Sequence, residues 1–273
     1  MIVTAEQMER FSSLCRLGMG TKLRQGIGCL GEKILHVVLK QYLEPDPSFH
    51  EVTIGRYVAD IARDSGVVEI QTRNFLALKK KLAAFLPHYP VTVVTPIPQI
   101  KWLSWIEEQT GEVTKKRKSP KTGTALDVFR ELYHIREFLL HPHFQIRLIF
   151  LEVEEYRLLN GWGNGGKRGS TRYDRIPIRL LGERFLRDRE DYRQVLPVGL
   201  PEIFTSSHLA RAARLSPNSA SRAMNVFFSV QAVGRVGKQG NHYCYRVLEE
   251  NRLFGALSSG SVDGEKSDKR ERF

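Results

Sequence analysis

Apolar and polar positions alternate on both sides of a short turn in the first third of the chain. Two largely apolar runs, residues 57–62 and 67–71, flank the turn Arg63-Asp64-Ser65-Gly66. Asp, Ser and Gly are residues that tight turns prefer. The pattern therefore predicts a β-hairpin, and if Arg63 pairs with Gly66, Asp60 lies directly opposite Glu69.

The hydrophobic spacing also predicts the elements around this hairpin. Apolar residues recur at helical spacing over residues 26–42 and 74–86, whereas residues 51–54 and 91–95 are typical of strands. The predicted order is helix, three strands, helix, strand.

A second set of elements follows. We expect a hairpin with arms at 102–106 and from Val113, a helix over about 125–138, and a strand over 145–151, with a continuation to Leu159 left open. Residues 148–151 are apolar on both faces, as in a central strand.

The C-terminal pattern predicts a smaller unit. Thr205 is placed to cap a short helix, and Ser216 with Pro217 to begin a second helix that ends near Val230. Residues 232–247 then form two β-rich arms around a Gly-rich basic tip. The prediction is a helix-turn-helix followed by a hairpin wing.

The first hairpin carries the main candidate chemistry. Asp60, Glu69 and Gln71 share one face of otherwise apolar strands. Facing like charges are destabilising, and a divalent cation held by carboxylates would join them. In the other interpretation, which stays open, the carboxylates are solvated hairpin ends or pair with arginines such as Arg56.

These residues and the element order together resemble the PD-(D/E)xK nuclease superfamily of restriction-like endonucleases, resolvases and RecB-type nucleases. That family places an acidic residue on its first helix, as Glu32 here, an Asp ending the second strand, as Asp60, and Glu/Asp-x-Lys on the third, as Glu69-Ile70-Gln71. Gln71 replaces the usual Lys, as in some restriction endonucleases. The resemblance covers about residues 26–95 and implies an α/β restriction-endonuclease-like core, a mixed sheet flanked by helices.

The resemblance also implies a site for Mg²⁺ or Mn²⁺. Asp60, Glu69 and the main-chain carbonyl of Ile70 would hold the ion, Gln71 would orient a water, and Arg73 would supply positive charge. Glu32 would complete the site through a water, although an exposed helix position is its alternative. The implied catalytic set is Glu32, Asp60, Glu69, Gln71 and Arg73.

The C-terminal unit resembles a winged helix-turn-helix domain, in which the second helix reaches bases or phosphates and the wing contacts phosphates. The alternative is a winged helix used for protein contacts or dimerisation. The implied nucleic-acid contacts are Asn218, Ser219, Ser221, Arg222, Asn225, Arg235, Lys238 and Arg246.

Composition indicates a polyanionic partner. The chain has 42 Lys and Arg against 30 Asp and Glu, a net charge of +12, which attracts phosphate backbones. Cations concentrate at Lys115, Lys116, Arg117 and Lys118, and at Lys167 and Arg168 in a Gly-rich loop. We expect both to contact double-stranded DNA; the alternatives are a nuclear-localisation signal and a disordered connector.

The chain length and the Pro- and Gly-containing segment 196–201 predict a nuclease-like domain at 1–196 and a winged-helix domain at 202–249. The polar, charged segment 258–273 predicts a disordered tail. The three cysteines lack metal-ligand spacing. Without a long apolar run or a signal-peptide pattern, we expect a cytoplasmic protein with no membrane partner. The resemblance allows a homodimer.

Two functions are therefore expected of such a chain. The first is a Mg²⁺- or Mn²⁺-dependent endonuclease that the winged helix positions on DNA. The second is a catalytically inactive, nuclease-fold DNA-binding protein that acts as a regulator. Gln71 in place of Lys favours the second, and the retained acidic residues favour the first.

Overall fold

The structure, a computed structural model, describes residues 3–25, 34–162 and 168–248, without the side chains of residues 19–25, 162 and 168. Glu32, Lys167 and the predicted tail 258–273 lie outside the described residues. The described chain is a mixed α/β structure in which helices flank a large mixed sheet. Among its helices, none is both long and apolar enough to cross a membrane.

Seven α-helices and nine strands are described. The helices are α1 Ala5–Gln25, α2 Ile34–Leu43, α3 Lys79–Phe85, α4 Phe129–Leu132, α5 Arg189–Arg193, α6 Ser206–Ala213 and α7 Pro217–Ser229. Short 3-10 segments lie at Pro47–Phe49, Phe75–Leu78, Ala125–Val128 and Tyr133–Phe138. The strands are β1 His50–Ile54, β2 Tyr57–Arg63, β3 Gly66–Ile70, β4 Val91–Glu107, β5 Arg117–Lys118, β6 Phe144–Trp162, β7 Arg168–Leu186, β8 Val233–Gln239 and β9 His242–Val247.

The main sheet has the order β1-β2-β3-β4-β6-β7, with β5 paired to β4. Strands β1, β2 and β3 form an antiparallel meander. A helical crossover that includes α3 returns the chain so that β4 runs parallel to β3, and β6 in turn runs parallel to β4. The long β6–β7 hairpin is antiparallel. Strand β6 is therefore central, as its two-sided apolar run predicts.

The predicted turn at the β2–β3 corner is confirmed, since Arg63 pairs with Gly66 and Ala62 with Val67. Gly66 has φ +135°, and a Cβ there would lie 2.5 Å from the carbonyl oxygen of Pro90. Glycine is needed because any side chain would collide with the backbone that leads into β4.

Apolar side chains cover both faces of the sheet. On one face, α1 and α2 bury Phe11, Val38 and Leu39 against Ile70 and other strand residues. On the other face, α3 and the helical segment 125–138 form a second cluster. Two-sided burial is what the continuous apolar runs of central parallel strands require.

The C-terminal helices share that second cluster. Phe227 of α7 packs on Phe129 of α4, with ring centroids 4.6 Å apart. Strands β8 and β9 form the predicted hairpin, and Phe204 bridges to Tyr245. The predicted helix-turn-helix and wing therefore have the expected secondary structure and are docked on the helices of the sheet; the domain boundaries stay a prediction.

Several predicted boundaries were too short. Strand β4 continues to Glu107 and β6 to Trp162, where the sequence predicted strands to residue 95 and to 151 or 159. Arg168, expected in a loop, begins the 19-residue strand β7. Helix α1 was not predicted, and the helix expected over 125–138 consists of two 3-10 segments around α4.

Candidate functional site

Asp60 and Glu69 lie where β2 and β3 end their pairing, and the charge of Asp60 acts on the Glu69 carboxyl. The registers Ile61–Val68 and Ala62–Val67 place Asp60 and Glu69 at the next step along the two strands. There the ladder gives way to a side-chain contact, because Asp60 Oδ2 accepts a hydrogen bond from the Ile70 N–H at 2.6 Å. Asp60 is thus held by the backbone of β3.

Glu69 is the buried member of the pair, with 3% of its surface exposed. Its Oε2 lies 2.6 Å from Lys81 Nζ, whereas its Oε1 is buried without a hydrogen-bond partner. Burial and the neighbouring charge of Asp60 raise the pKa of Glu69 to about 7, although Lys81 lowers it. Burial is therefore the main reason that ionisation of Glu69 is disfavoured, and the charge of Asp60 adds to it.

Lys81 is a site residue that the sequence analysis missed. It belongs to α3, where it lies one turn from both Leu78 and Phe85, so it shares their buried face. Its neighbour Lys79 instead pairs with Glu137 near the surface. The helical spacing contained this signal, because a lysine between two core positions must find an anion.

Gln71 and Arg73 leave the strand in different directions. Gln71 Nε2 donates to the carbonyls of Arg73 at 2.5 Å and Asn74 at 3.3 Å, which leaves the side-chain oxygen as an acceptor. Arg73 is exposed and lines a neighbouring cleft. The structure thus places Arg73 at the rim and not beside Glu69.

That cleft begins immediately beyond β3 and has a volume of about 320 Å³. It lies between the middle of β4, the segment 123–131 and the start of α7, which contributes Ser219. Asp60 and Glu69 do not line it. Its cationic lining residues are Arg73, Lys101, Lys121, Arg130 and Arg175.

A second buried glutamate lies beside the cleft, on β6. Glu155 is 2% exposed, and its Oε1 accepts from Arg157 at 2.8 Å while its Oε2 accepts from Arg175 at 2.8 Å. Lys101 Nζ is 3.9 Å away. Burial alone would raise the pKa of Glu155, but Arg175, Lys101 and Arg157 hold the pKa below its ordinary value.

The predicted basic run 115–118 is exposed along the outer edge formed by β5. Lys116 lies over the Trp102 ring at 5.7 Å and Arg117 over the Trp105 ring at 4.7 Å. Lys115 and Lys118 are exposed beside them. Lys116 and Arg117 therefore each lie on a tryptophan ring, in the part of β4 beyond its pairing with β3.

The C-terminal polar residues fall into two groups. On α7, Asn218 and Ser221 are exposed, Asn225 donates to the Ser221 carbonyl, and Arg222 lies 5.8 Å from the Tyr133 ring. On the wing, cations stack on aromatic rings: Arg235 on Phe228 at 4.2 Å and on Tyr243 at 4.0 Å, and Lys238 on Tyr243 at 4.9 Å. Arg246 pairs with Glu202.

Among the described residues, no group of three His, Cys, Asp or Glu side chains is arranged to hold a metal. Glu32, the third acidic residue of the predicted set, lies outside them. The described donors are two carboxylates and the Ile70 backbone.

Comparisons with known proteins give one family model and one relative. A Treponema pallidum (strain Nichols) protein, described as uncharacterized, is 29% identical over 178 residues, which are 65% of this chain and 70% of the relative. No solved structure matches the chain. The family model described as "Domain of unknown function (DUF8091)" matches residues 33–187, more than half of the chain, and the chain therefore belongs to that family.

Proposed function

We propose that the protein is a divalent-metal-dependent endonuclease that hydrolyses phosphodiester bonds in double-stranded DNA. The observation that carries this proposal is the meeting of Asp60 with a buried Glu69 whose Oε1 has no partner. The helix, antiparallel β1–β3 meander, helical crossover and parallel β4 are the order expected of a restriction-endonuclease-like core. The basic cleft beside it suits a polyanionic substrate.

The residues present fit a hard divalent cation. Mg²⁺ is held in proteins by one or two carboxylates, with waters and substrate phosphate oxygens completing its shell. Glu69 Oε1 and the second oxygen of Asp60 would hold the ion, and its charge would offset the burial and the Asp60 charge that raise the pKa of Glu69. Such an ion, when bound, polarises a phosphate and lowers the pKa of a bound water.

The protein's own side chains orient this centre. Asp60 is held by the Ile70 N–H, which fixes the carboxylate at the end of β3. Lys81 donates to Glu69 Oε2 and favours its ionised form. In the PD-(D/E)xK resemblance a strand lysine contributes positive charge next to the acidic pair. Here Lys81 contributes it from α3, while Gln71 remains the residue that we expect to orient water.

The C-terminal unit, which we propose to be a winged helix, positions the chain on DNA. Asn218, Ser221 and Arg222 on α7 and the stacked cations Arg235 and Lys238 on the wing are the contacts that we expect. The start of α7 borders the basic cleft through Ser219, so one DNA strand can reach helix and cleft together.

The test is cleavage of supercoiled plasmid, linear duplex and single-stranded DNA with Mg²⁺ or Mn²⁺. We expect cleavage by the wild type and loss in Asp60→Asn and Glu69→Gln, with all proteins folded by circular dichroism. Glu152→Gln, which alters a carboxylate paired with Arg179 far along β6, is the matched control and keeps activity. Equal cleavage by wild type and Glu69→Gln would refute the site.

One observation favours a second function. The Glu69–Lys81 ion pair gives the buried carboxylate a partner without any metal. In that case the protein is a non-catalytic DNA-binding regulator. Calorimetric titration with Mn²⁺ separates the two: binding by the wild type that is lost in Asp60→Asn supports the nuclease, and DNA binding without Mn²⁺ binding or cleavage supports the regulator.

A further inference from the structure

More cationic than anionic side chains line the cleft beyond β3. Five cationic residues line it against two carboxylates, Asp127 and Glu131. Asp127 accepts from the Thr124 N–H at 2.8 Å, and Glu131 accepts from the Phe75 N–H and pairs with Arg130, one of the five cations. Lys101 and Arg175 share Glu155, whereas no ion pair is described for Arg73 and Lys121. Cationic side chains therefore outnumber carboxylates around a space of about 320 Å³.

The crowding of these cations is visible at Lys101. Burial lowers the pKa of Lys101, Glu155 opposes that effect, and the charges of Arg175, Arg157 and Lys121 lower it again. The single carboxylate of Glu155 is shared by two cleft cations, Lys101 and Arg175, and by Arg157, which does not line the cleft. An added anion would relieve this repulsion.

Two buried polar atoms at the cleft have no hydrogen-bond partner. Thr95 is 4% exposed, lines the cleft, and its hydroxyl is unpaired. The Nε–H of Arg175, another lining residue, is also buried and unpaired. Because unpaired buried polar groups are costly, both indicate a missing ligand that accepts hydrogen bonds.

The first turn of α7 adds a further anion-attracting element. Ser216 caps this 13-residue helix by accepting from the Ser219 N–H, and Leu215 and Ser219 line the cleft. Helix N-termini favour negative charge through their exposed N–H groups and dipole. The cations, the two unpaired donors and the helix start therefore converge from separate elements on one space.

We propose that this cleft is a phosphate-binding site that holds one backbone phosphate of a nucleic acid between the sheet and α7. The principal ligands are Lys101, Lys121 and Arg175, with the Thr95 hydroxyl at the floor. The nucleic-acid source of the phosphate rests on the proposed function, whereas the phosphate chemistry does not.

The test uses a fluorescein-labelled duplex and fluorescence anisotropy at several salt concentrations in EDTA, so that no metal chemistry contributes. Lys101→Gln and Lys121→Gln should each weaken binding severalfold and lower the slope of log K against log salt by about 1. Lys80→Gln removes the same charge from an exposed position on α3 outside the cleft and should leave the slope unchanged.

Thr95→Val separates binding from folding. Valine keeps the shape of threonine and removes a hydroxyl that has no protein partner, so the melting temperature should stay the same or rise. DNA binding should weaken severalfold with an unchanged salt slope, because no charge is lost. Unchanged affinity in Thr95→Val and both lysine variants would overturn the proposal.

Further arms distinguish this site from the proposed nuclease centre. Asp60→Asn should bind DNA like the wild type in EDTA. If Asp60→Asn abolishes cleavage while the cleft variants bind and cut normally, the cleft proposal fails and the nuclease stands. If tripolyphosphate raises the melting temperature of the wild type but not of Lys101→Gln, and no DNA binds, the phosphate site stands and its nucleic-acid source is overturned.

Discussion

Glu69 on β3 and Glu155 on β6 are both almost fully buried glutamates of one sheet, yet their environments are opposite. Among the described residues, Glu69 pairs with one cation, Lys81, and burial together with the charge of Asp60 raises its pKa to about 7. Glu155 contacts three cations, and its pKa is held below the ordinary range. One site lacks positive charge and the other has an excess of it.

The contrast shows what each region is missing. A buried carboxylate with an unpaired oxygen is completed by a cation, whereas cations around one shared carboxylate are completed by an anion. In the proposed metal-dependent hydrolysis, a metal ion would complete the acidic centre and the cations of the cleft would hold a phosphate. Thr72 and Arg73 come just after β3 and line the basic cleft, so the acidic centre and the cleft are adjacent along the chain.

The largest expected loss of stability follows from changing Glu155, the glutamate that contacts three cations. Glu155→Gln leaves Arg157, Arg175 and Lys101 without their shared anion, and removing one member of a buried ion pair costs about 3–5 kcal/mol. Urea denaturation measures this loss in the free energy of unfolding. Glu152→Gln is the control: its partner Arg179 has 56% of its side chain exposed, so we expect a loss of about 1 kcal/mol or less. Equal losses in the two variants would contradict the contrast.

Glu69 should make stability depend on pH in the opposite sense to an ordinary salt-bridged carboxylate. Its pKa rises from 4.5 to about 7 on folding, so between these values the native state binds more protons than the unfolded state. The Glu69 contribution to stability therefore falls as pH rises through this window, by about 3 kcal/mol in all.

The measurement is the free energy of unfolding at pH 5 and pH 8 for wild type and Glu69→Gln. The wild type should lose more stability on going to pH 8, and Glu69→Gln should abolish that extra loss. Mn²⁺ at pH 8 should restore stability to the wild type but not to Asp60→Asn. If the stability of the wild type and of Glu69→Gln depends on pH in the same way, the pKa of Glu69 is not raised by folding.

The sequence predicts the hairpin register well because its evidence is local. The turn at residues 63–66 fixes the pairing, and the pairing brings Asp60 to Glu69. The C-terminal helices follow equally from local signals, the caps at Thr205 and Ser216. Where a turn or a cap determines the geometry, a single sequence is sufficient.

The rest depends on contacts between distant segments. Lys101 and Arg175 are 74 positions apart, and no local pattern indicates that they flank one glutamate. Strand β4 was predicted in two pieces, the continuation of β6 to Leu159 was left open, and β7 was not predicted. The outer parts of these strands carry charged residues that pair across strands, as Glu152 does with Arg179. Such pairs look like solvated loops until the partner strand is known.

A smaller effect is expected when the single cation beside Glu69 is removed. Lys81→Met takes away a charge that lowers the pKa of Glu69, so the pKa should rise further. In the pH profile of metal-dependent cleavage, the rising limb should move to higher pH, while Lys81→Arg should keep the wild-type profile. Lys79→Met, whose side chain pairs with Glu137 instead, is the matched control. A lower rate at every pH with an unchanged midpoint would assign Lys81 a purely structural role.

The smallest effect is expected from adding the strand lysine that the PD-(D/E)xK family has and that Gln71 replaces here. Gln71→Lys places a second cation one side chain beyond Glu69, but the position is half-exposed, so solvent screens much of the added charge. The variant also loses the bonds from Gln71 Nε2 to the carbonyls of Arg73 and Asn74, a cost of about 1 kcal/mol. We expect the midpoint of the pH profile of cleavage to move to lower pH, in the direction opposite to Lys81→Met. The double variant Gln71→Lys/Lys81→Met should recover part of the activity that Lys81→Met loses at neutral pH. Rescue in the double variant would show that the centre needs one cation and accepts it from either element, whereas a double variant no better than Lys81→Met alone would restrict that role to α3.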